Sequence, residues 1–175
     1  MTQLAQWLHP SHDSSYVEKV LEHVFTSSLI QHACFARGWK VEVSKPEVDD
    51  SGYDLVAECN KIIRHIQLKA STSTSRTHKQ KVHVRLGEKP SGCVVWIVYE
   101  TNESARRFDF RGFRFFGGEP GSPLPDMSSF PTAKHTKANA QGIKNERPNV
   151  KVVSKARFET IADFDRLLDR LFGKG

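Results

Sequence analysis

The fold of this chain is decided by the stretch Gly52-Tyr53-Asp54-Leu55-Val56-Ala57-Glu58-Cys59-Asn60-Lys61-Ile62-Ile63-Arg64-His65-Ile66-Gln67-Leu68-Lys69. Two short runs of β-type residues flank the turn residues Asn60 and Lys61, which predicts a hairpin. If these two residues form a tight turn, the pairing continues outward from them until Asp54 lies opposite Gln67. The two side chains are then expected on the same face of the sheet.

Alternation along the second strand of this hairpin predicts a polar face and an apolar face. Lys69 shares the face of Gln67, whereas Ile66 and Leu68 point the other way into a core. An acid, an amide oxygen and an ammonium group are therefore expected to converge beside Asp54. Such a group can hold a hard divalent cation through oxygen and place a positive charge beside a reacting phosphate.

The order of these motifs resembles the PD-(D/E)XK nuclease superfamily, which includes many restriction endonucleases and Holliday-junction resolvases. The core of that family has a helix carrying a Glu, a strand that opens with Asp, and a strand carrying Glu-x-Lys or, in a minority, Gln-x-Lys. The resemblance covers roughly residues 14–100. Gln67 stands where Glu is commoner, so one negative charge of the usual pattern is missing.

This resemblance implies an α/β fold with a restriction-endonuclease-like core, in which a mixed central sheet of about four or five strands is flanked by helices. It also implies hydrolysis of nucleic-acid phosphodiester bonds with Mg²⁺ or Mn²⁺, with double-stranded DNA as the expected substrate. Asp54, Gln67 and the carbonyl of Leu68 would be metal ligands. Lys69 would orient the attacking water or stabilise negative charge on the phosphate, and Glu22 would complete the outer shell.

Two acids of the first predicted helix compete for that outer-shell role. Glu18 and Glu22 are four residues apart and share a helix face. Ser15 and Glu18 fit a capping box at the start of a helix that ends at Gly38, which gives Glu18 a structural task. Glu22 has no such task, so we favour it, with a solvent-facing helix acid as the alternative.

The positive charge is concentrated in two blocks. The net charge is +6, and Lys61 to Lys89 contains eight Lys or Arg against one acid, while Met127 to Arg157 contains seven against one. Two such blocks predict a polyanionic partner, with a solvated basic surface as the alternative. The expected nucleic-acid contacts are Arg76, Lys79, Lys81, Lys134 and Lys137.

The length of 175 residues is typical of a single domain. We expect a core at about 14–100 and an extension at about 101–175 that contains a long Pro/Gly loop and a terminal helix. The three cysteines form no Cys-x-x-Cys pair and are expected as buried free thiols. The chain carries neither a signal-peptide pattern nor an apolar stretch of membrane-spanning length, so we expect a cytoplasmic protein without a membrane partner.

Periodicity places the remaining elements. Strands are predicted at 39–43, 93–99, 108–116 and 150–153, a loop at 71–81, a long loop at 117–131, and an amphipathic helix at 161–172. Two other functions stay open besides the nuclease, since Gln67 is neutral: a catalytically inactive nucleic-acid-binding module, and an interaction subunit of a restriction or defence system. A homodimer is also left open.

Overall fold

The computed structural model describes residues 14–48, 51–136, 142 and 144–174. Within these residues two helices accompany two β-sheets. The elements in chain order are α1 (Ser14–Arg37), β1 (Glu42–Ser44), β2 (Leu55–Cys59), β3 (Ile62–Thr72), β4 (Lys79–His83), a 3-10 helix (Val84–Glu88), β5 (Gly92–Asn102), β6 (Arg107–Gly117), β7 (Thr132–Lys134), β8 (Glu146–Ser154), a 3-10 helix (Lys155–Arg157), β9 (Glu159–Ile161) and α2 (Phe164–Phe172).

The larger sheet has six strands in the order β1-β2-β3-β5-β6-β9. It is mixed, because β3 and β5 are parallel while the other neighbours are antiparallel. The predicted α/β class with a mixed sheet is confirmed, but the predicted number of four or five strands is wrong. The edge strand β9 has three residues, too few for a periodic pattern to predict it from the sequence.

A second, three-stranded antiparallel sheet has the order β4-β8-β7. Its central pairing joins Lys79 to Ser154 and His83 to Val150, residues that are distant in sequence. The strand predicted at 150–153 lies in β8, but no local pattern predicted its partners β4 and β7, because strand pairing over such a distance depends on how the layers pack. Residues 71–81, predicted as a loop, contain the end of β3 and the start of β4.

The large sheet is covered on both faces, and the central strand β5 shows how. Cys93, Val95 and Ile97 face a core shared with α1 and α2, while Val94 and Trp96 face a core shared with the three-stranded sheet. All five side chains are buried. The strand predicted at 93–99 is thus confirmed as β5, and the described residues form three layers: helices, large sheet and small sheet.

Helix α1 buries an apolar stripe that recurs at every fourth residue: Leu21, Phe25, Leu29 and Ala33. It ends at the predicted place, since Gly38 has φ 65° and its N–H donates to the carbonyl of Cys34 at 3.0 Å. A positive φ is the geometry for which glycine is favoured after a helix.

The predicted start of α1 is wrong. The helix already includes Ser14, so Ser15 lies inside its first turn and cannot cap it from outside. Glu18 is an exposed residue of this helix. The capping-box role that set Glu18 apart from Glu22 therefore does not exist.

Two further boundaries and the burial of one cysteine differ from the prediction. The strand expected at 39–43 is β1 at Glu42–Ser44. The terminal helix begins at Phe164, because Asp163 caps it by accepting the N–H of Arg166 at 2.9 Å, and Ile161 belongs to β9. Cys59 and Cys93 are buried free thiols as predicted, but Cys34 is exposed.

No helix in the described part of the chain is long and apolar enough to cross a membrane.

Candidate functional site

The hairpin between β2 and β3 has the predicted turn. Asn60 and Lys61 have φ 51° and 66°, the left-handed conformations that a two-residue hairpin turn of type I′ requires. From this turn the pairing runs from Cys59 with Ile62 to Leu55 with Ile66, in the predicted register. Ile66 is fully buried in the helix-side core, as the alternation predicted.

The regular ladder ends one residue before the predicted pair of Asp54 and Gln67. The N–H of Asp54 donates to the carbonyl of Ile66 at 2.9 Å, and its Oδ2 accepts the backbone N–H of Leu68 at 2.6 Å. Asp54 therefore lies along the free edge of β3, beyond the last pair of the β2–β3 ladder. The carboxylate takes the N–H that a continuing β2 would have paired.

This edge also presents the carbonyl of Leu68, because the N–H and C=O of one strand residue project to the same side. A carboxylate and a carbonyl oxygen thus meet where β2 stops and β3 continues.

Gly52 fixes the path of the chain just before Asp54. Its φ is 76°, and a Cβ added there would lie 2.6 Å from the Cβ of His83 at the end of β4. A side chain at this position would be strained by the backbone and would collide with the second sheet. Glycine lets the loop pack against β4 and so brings Asp54 to the edge of β3.

A groove of about 1530 Å³ passes over this edge. Asp54, Leu68, Lys69 and Ala70 line it from the large sheet. The walls of the groove come from different layers. Helix α1 contributes residues that include Lys19 and Glu22. The small sheet contributes Lys79, Gln80 and Lys81 from β4, and Thr132 and Lys134 from β7.

Both basic blocks of the sequence contribute to this one groove. Seven Lys or Arg line it against three acids, and the acids are Glu18, Glu22 and Asp54; the cations are Lys19, Lys69, Arg76, Lys79, Lys81, Lys134 and Lys144. Four of the five predicted nucleic-acid contacts are among them. The fifth, Lys137, lies outside the described residues.

Gln67 and Lys69 occupy the predicted common face of β3. They pair with Val94 and Trp96 of β5, whose side chains face the three-stranded sheet. Lys69 lines the groove, whereas Gln67 does not. The Oε1 atom of Gln67 is buried and has no hydrogen-bond partner within the part of the chain that the structure describes.

Glu22 is the buried member of the two candidate helix acids, with a side chain 7% exposed. Lys19 Nζ donates to its Oε2 at 2.9 Å, and Lys45 Nζ lies 2.5 Å from its Oε1. Burial alone would raise the pKa of Glu22, but the hydrogen bonds from Lys45 and Lys19 outweigh it, so the pKa lies below its ordinary value.

Sequence reasoning did not single out Lys19 or Lys45. Lys19 precedes Glu22 by three residues, a spacing at which helix side chains meet, and could have been found from that alone. Lys45 follows β1 and reaches Glu22 through the tertiary fold, so no local pattern signals it.

The site offers hard oxygen donors of the kind that Mg²⁺ prefers. Asp54 contributes a carboxylate and Leu68 a carbonyl at the groove, and Gln67 has a buried amide oxygen without a hydrogen-bond partner in the described part of the chain. Among the described residues, however, no group of three or more His, Cys, Asp or Glu could hold a metal ion. The donor set relies on uncharged oxygens beside Asp54.

No protein-family model matches this chain, and no curated protein matches it significantly.

Proposed function

We propose that this protein is a metal-dependent nuclease that hydrolyses phosphodiester bonds of DNA. One observation carries the proposal: Asp54 lies at the free edge of β3, next to Leu68 and Lys69, and these residues line a groove to which both basic blocks contribute. A cleft that combines convergent polar groups with a charge complementary to its ligand is the expected form of a catalytic site for a polyanion.

The order of elements supports a restriction-endonuclease-like core. Helix α1 carries Glu22, β2 is preceded directly by Asp54, and β3 carries Gln67 and Lys69. This is the order by which the sequence resembles the PD-(D/E)XK superfamily. Other folds can carry a similar set of Asp, Gln and Lys. The geometry of the site therefore supports the function more strongly than the order of the elements does.

In this proposal Asp54, the Leu68 carbonyl and Gln67 would hold Mg²⁺ or Mn²⁺. A bound cation would supply Lewis-acid polarisation of the phosphate and would lower the pKa of a coordinated water. Asp54 is held for this task by the N–H of Leu68, which fixes one carboxylate oxygen. A positioned carboxylate loses little freedom when the substrate arrives.

Lys69 acts on the phosphate itself. Its position in the groove, one residue beyond Leu68, supports a role for its ammonium beside the scissile phosphate, where negative charge develops during attack. Fixed positive charge at that point stabilises the transition state more than the ground state. The basic side chains along the walls hold the flanking phosphates and keep the backbone in register.

A catalytically inactive nucleic-acid-binding module is the second candidate function. The neutral Gln67 and the absence of a three-member acid, His or Cys cluster among the described residues favour it. It would use the same groove without cleavage. An interaction subunit of a restriction or defence system, a homodimer and a cytoplasmic location stay predictions.

A cleavage assay separates these functions. Duplex, single-stranded and branched DNA are incubated with the protein in Mg²⁺, in Mn²⁺ and in EDTA, and binding to the same substrates is measured in EDTA. Cleavage that requires the cation supports the nuclease. Binding without cleavage in either metal supports the inactive module, and absence of binding to every substrate contradicts both.

A further inference from the structure

A buried carboxylate held between two ammonium groups forms one wall of the groove. Glu22 contacts Lys19 through one oxygen and Lys45 through the other, at 2.9 and 2.5 Å. The Glu22 side chain is 7% exposed, while Lys19 and Lys45 are 66% and 44% exposed. With all three groups charged, the cluster carries a net charge of +1 on the helix-side wall.

This arrangement does not suit a metal ligand. Each carboxylate oxygen of Glu22 already has an ammonium partner, and a divalent cation brought to it would be repelled by both lysines. Burial makes the loss of either partner costly, because the carboxylate would then be left enclosed with less compensation. The same contacts suit a carboxylate that holds a lysine ammonium group in a fixed position.

Of the two lysines that contact Glu22, Lys19 is the one that lines the groove. Lys19 and Glu22 line the groove, whereas Lys45 contacts Glu22 without lining it. Both lysines offset the buried charge of Glu22, but only Lys19, whose side chain is 66% exposed, lies where it can also contact a ligand in the groove. Lys19 belongs to the helix layer, whereas Lys79 and Lys81 belong to the small sheet, so the groove has cations on both of its sides.

We propose that Lys19 is a phosphate contact of the groove and that Glu22 is the positioning residue that orients it. This inference rests on the proposed function, because it takes the backbone of a nucleic acid as the ligand. It gives the helix acid a role in binding phosphate and removes it from the metal shell. If Glu22 has this role, replacing it should weaken DNA binding, whereas the removal of a negative charge alone would strengthen it.

The test compares duplex DNA binding of Glu22→Gln and Glu18→Gln in EDTA by fluorescence anisotropy. Both changes remove one negative charge from the same groove, which by long-range electrostatics strengthens binding to a polyanion. Glu18 is exposed and has no ion pair among the described residues, so Glu18→Gln should bind equally well or more tightly. Glu22→Gln should bind about three- to tenfold more weakly, like Lys19→Ala, since one phosphate contact is lost in each.

A double variant separates positioning from a general loss of structure. If Glu22 acts through Lys19, the double change Lys19→Ala and Glu22→Gln should bind no more weakly than Lys19→Ala alone. Lys19 is mostly exposed, so Lys19→Ala tests the phosphate contact even where Glu22→Gln unfolds; thermal unfolding identifies that case. Additive losses in two folded variants contradict the positioning role.

Calorimetric titration with Mn²⁺ completes the test. Glu22→Gln should keep the Mn²⁺ affinity of the unchanged protein, while Asp54→Asn should lower it. A nuclease whose Glu22→Gln variant binds DNA as tightly as before, or loses Mn²⁺ affinity as Asp54→Asn does, overturns this inference and leaves the proposed function intact. A protein that binds no duplex overturns both.

Discussion

The carboxylate of Asp54 accepts the backbone N–H of Leu68 at 2.6 Å, at the point where β2 ends and β3 continues with a free edge. At this point of β3 a side-chain carboxylate accepts the backbone N–H that the next residue of a longer β2 would have accepted. This hydrogen bond satisfies a donor that would otherwise be left open at the edge of the sheet. It also fixes an acid that lines a basic groove.

The first prediction concerns the two residues closest to the proposed chemistry. Asp54→Asn and Lys69→Ala should each lower cleavage of duplex DNA by about 10²-fold or more, because each removes a charge that acts on the transition state. Asn keeps an oxygen for the N–H of Leu68, so the fold should persist, as judged by circular dichroism. Glu58→Gln, at an exposed position of β2, is the matched control and should cleave normally. Full activity of Asp54→Asn would rule out its role as a metal ligand.

The second prediction concerns the missing charge at Gln67. Gln67→Glu should retain or raise the affinity for Mn²⁺, measured by calorimetry, because it restores the charge of the commoner motif. Without metal, the enclosed carboxylate should lower the free energy of unfolding by about 1 to 3 kcal/mol, since the Oε1 atom of Gln67 has no hydrogen-bond partner there. Mn²⁺ should recover this loss.

Gln80→Glu adds the same charge to the groove wall at a half-buried position of β4 and serves as the control for the Gln67 change. Its stability should depend little on Mn²⁺. If Gln67→Glu loses metal binding, or if both variants respond to Mn²⁺ alike, Gln67 is not part of a cation site.

The third prediction concerns the salt dependence of binding. Lys79→Ala and Lys81→Ala should each weaken duplex binding for all sequences about equally, because phosphate contacts carry no sequence information. Each should also reduce the slope of log K against log salt by roughly one unit. Lys134→Ala should behave alike, since Lys134 lines the same groove. Lys40→Ala, an exposed lysine away from the groove, should change neither quantity; an equal effect there would assign the binding to overall charge.

The fourth prediction concerns a buried arginine at the end of α2. Arg64 is fully buried, and its guanidinium donates to the carbonyls of Leu171, Gly118 and Arg170 at 2.8 to 3.1 Å. Arg64→Ala should lower the free energy of unfolding in urea by about 3 to 5 kcal/mol, because it leaves a cavity and unpaired carbonyls.

Arg107→Ala is the matched control for Arg64→Ala. Arg107 is 66% exposed and pairs with Asp109. Loss of such a surface ion pair should cost no more than about 1 kcal/mol. Equal losses at the two positions would show that the buried contacts of Arg64 contribute no more than a surface pair.

The fifth prediction concerns the turn that sets the register. Lys61 has φ 66°, a conformation that costs a residue with a side chain about 1 kcal/mol and glycine almost nothing. Lys61→Gly should therefore raise the free energy of unfolding by about 0.5 kcal/mol. Lys40→Gly, at a position without a positive φ, should lower it; stabilisation at both positions would rule out relief of backbone strain.

The sequence by itself determined the features that depend on neighbours along the chain. Asn60 and Lys61 form the tight turn, and the turn alone sets the pairing up to Leu55 with Ile66. Gly38 ends α1 for an equally local reason. The charge blocks predicted a basic surface, and both of them line one groove.

Only the tertiary structure decided where these features meet. Because β2 begins only at Leu55, Asp54 lies outside the strand. Its carboxylate accepts the N–H of Leu68, and Asp54 does not pair with Gln67 in the ladder. Arg64, counted in the basic block, is buried against α2, and Lys45 reaches Glu22 from beyond β1. These contacts join residues that are far apart in sequence. Their partners are chosen by packing of the layers and by the need to satisfy buried charges, which no local pattern records.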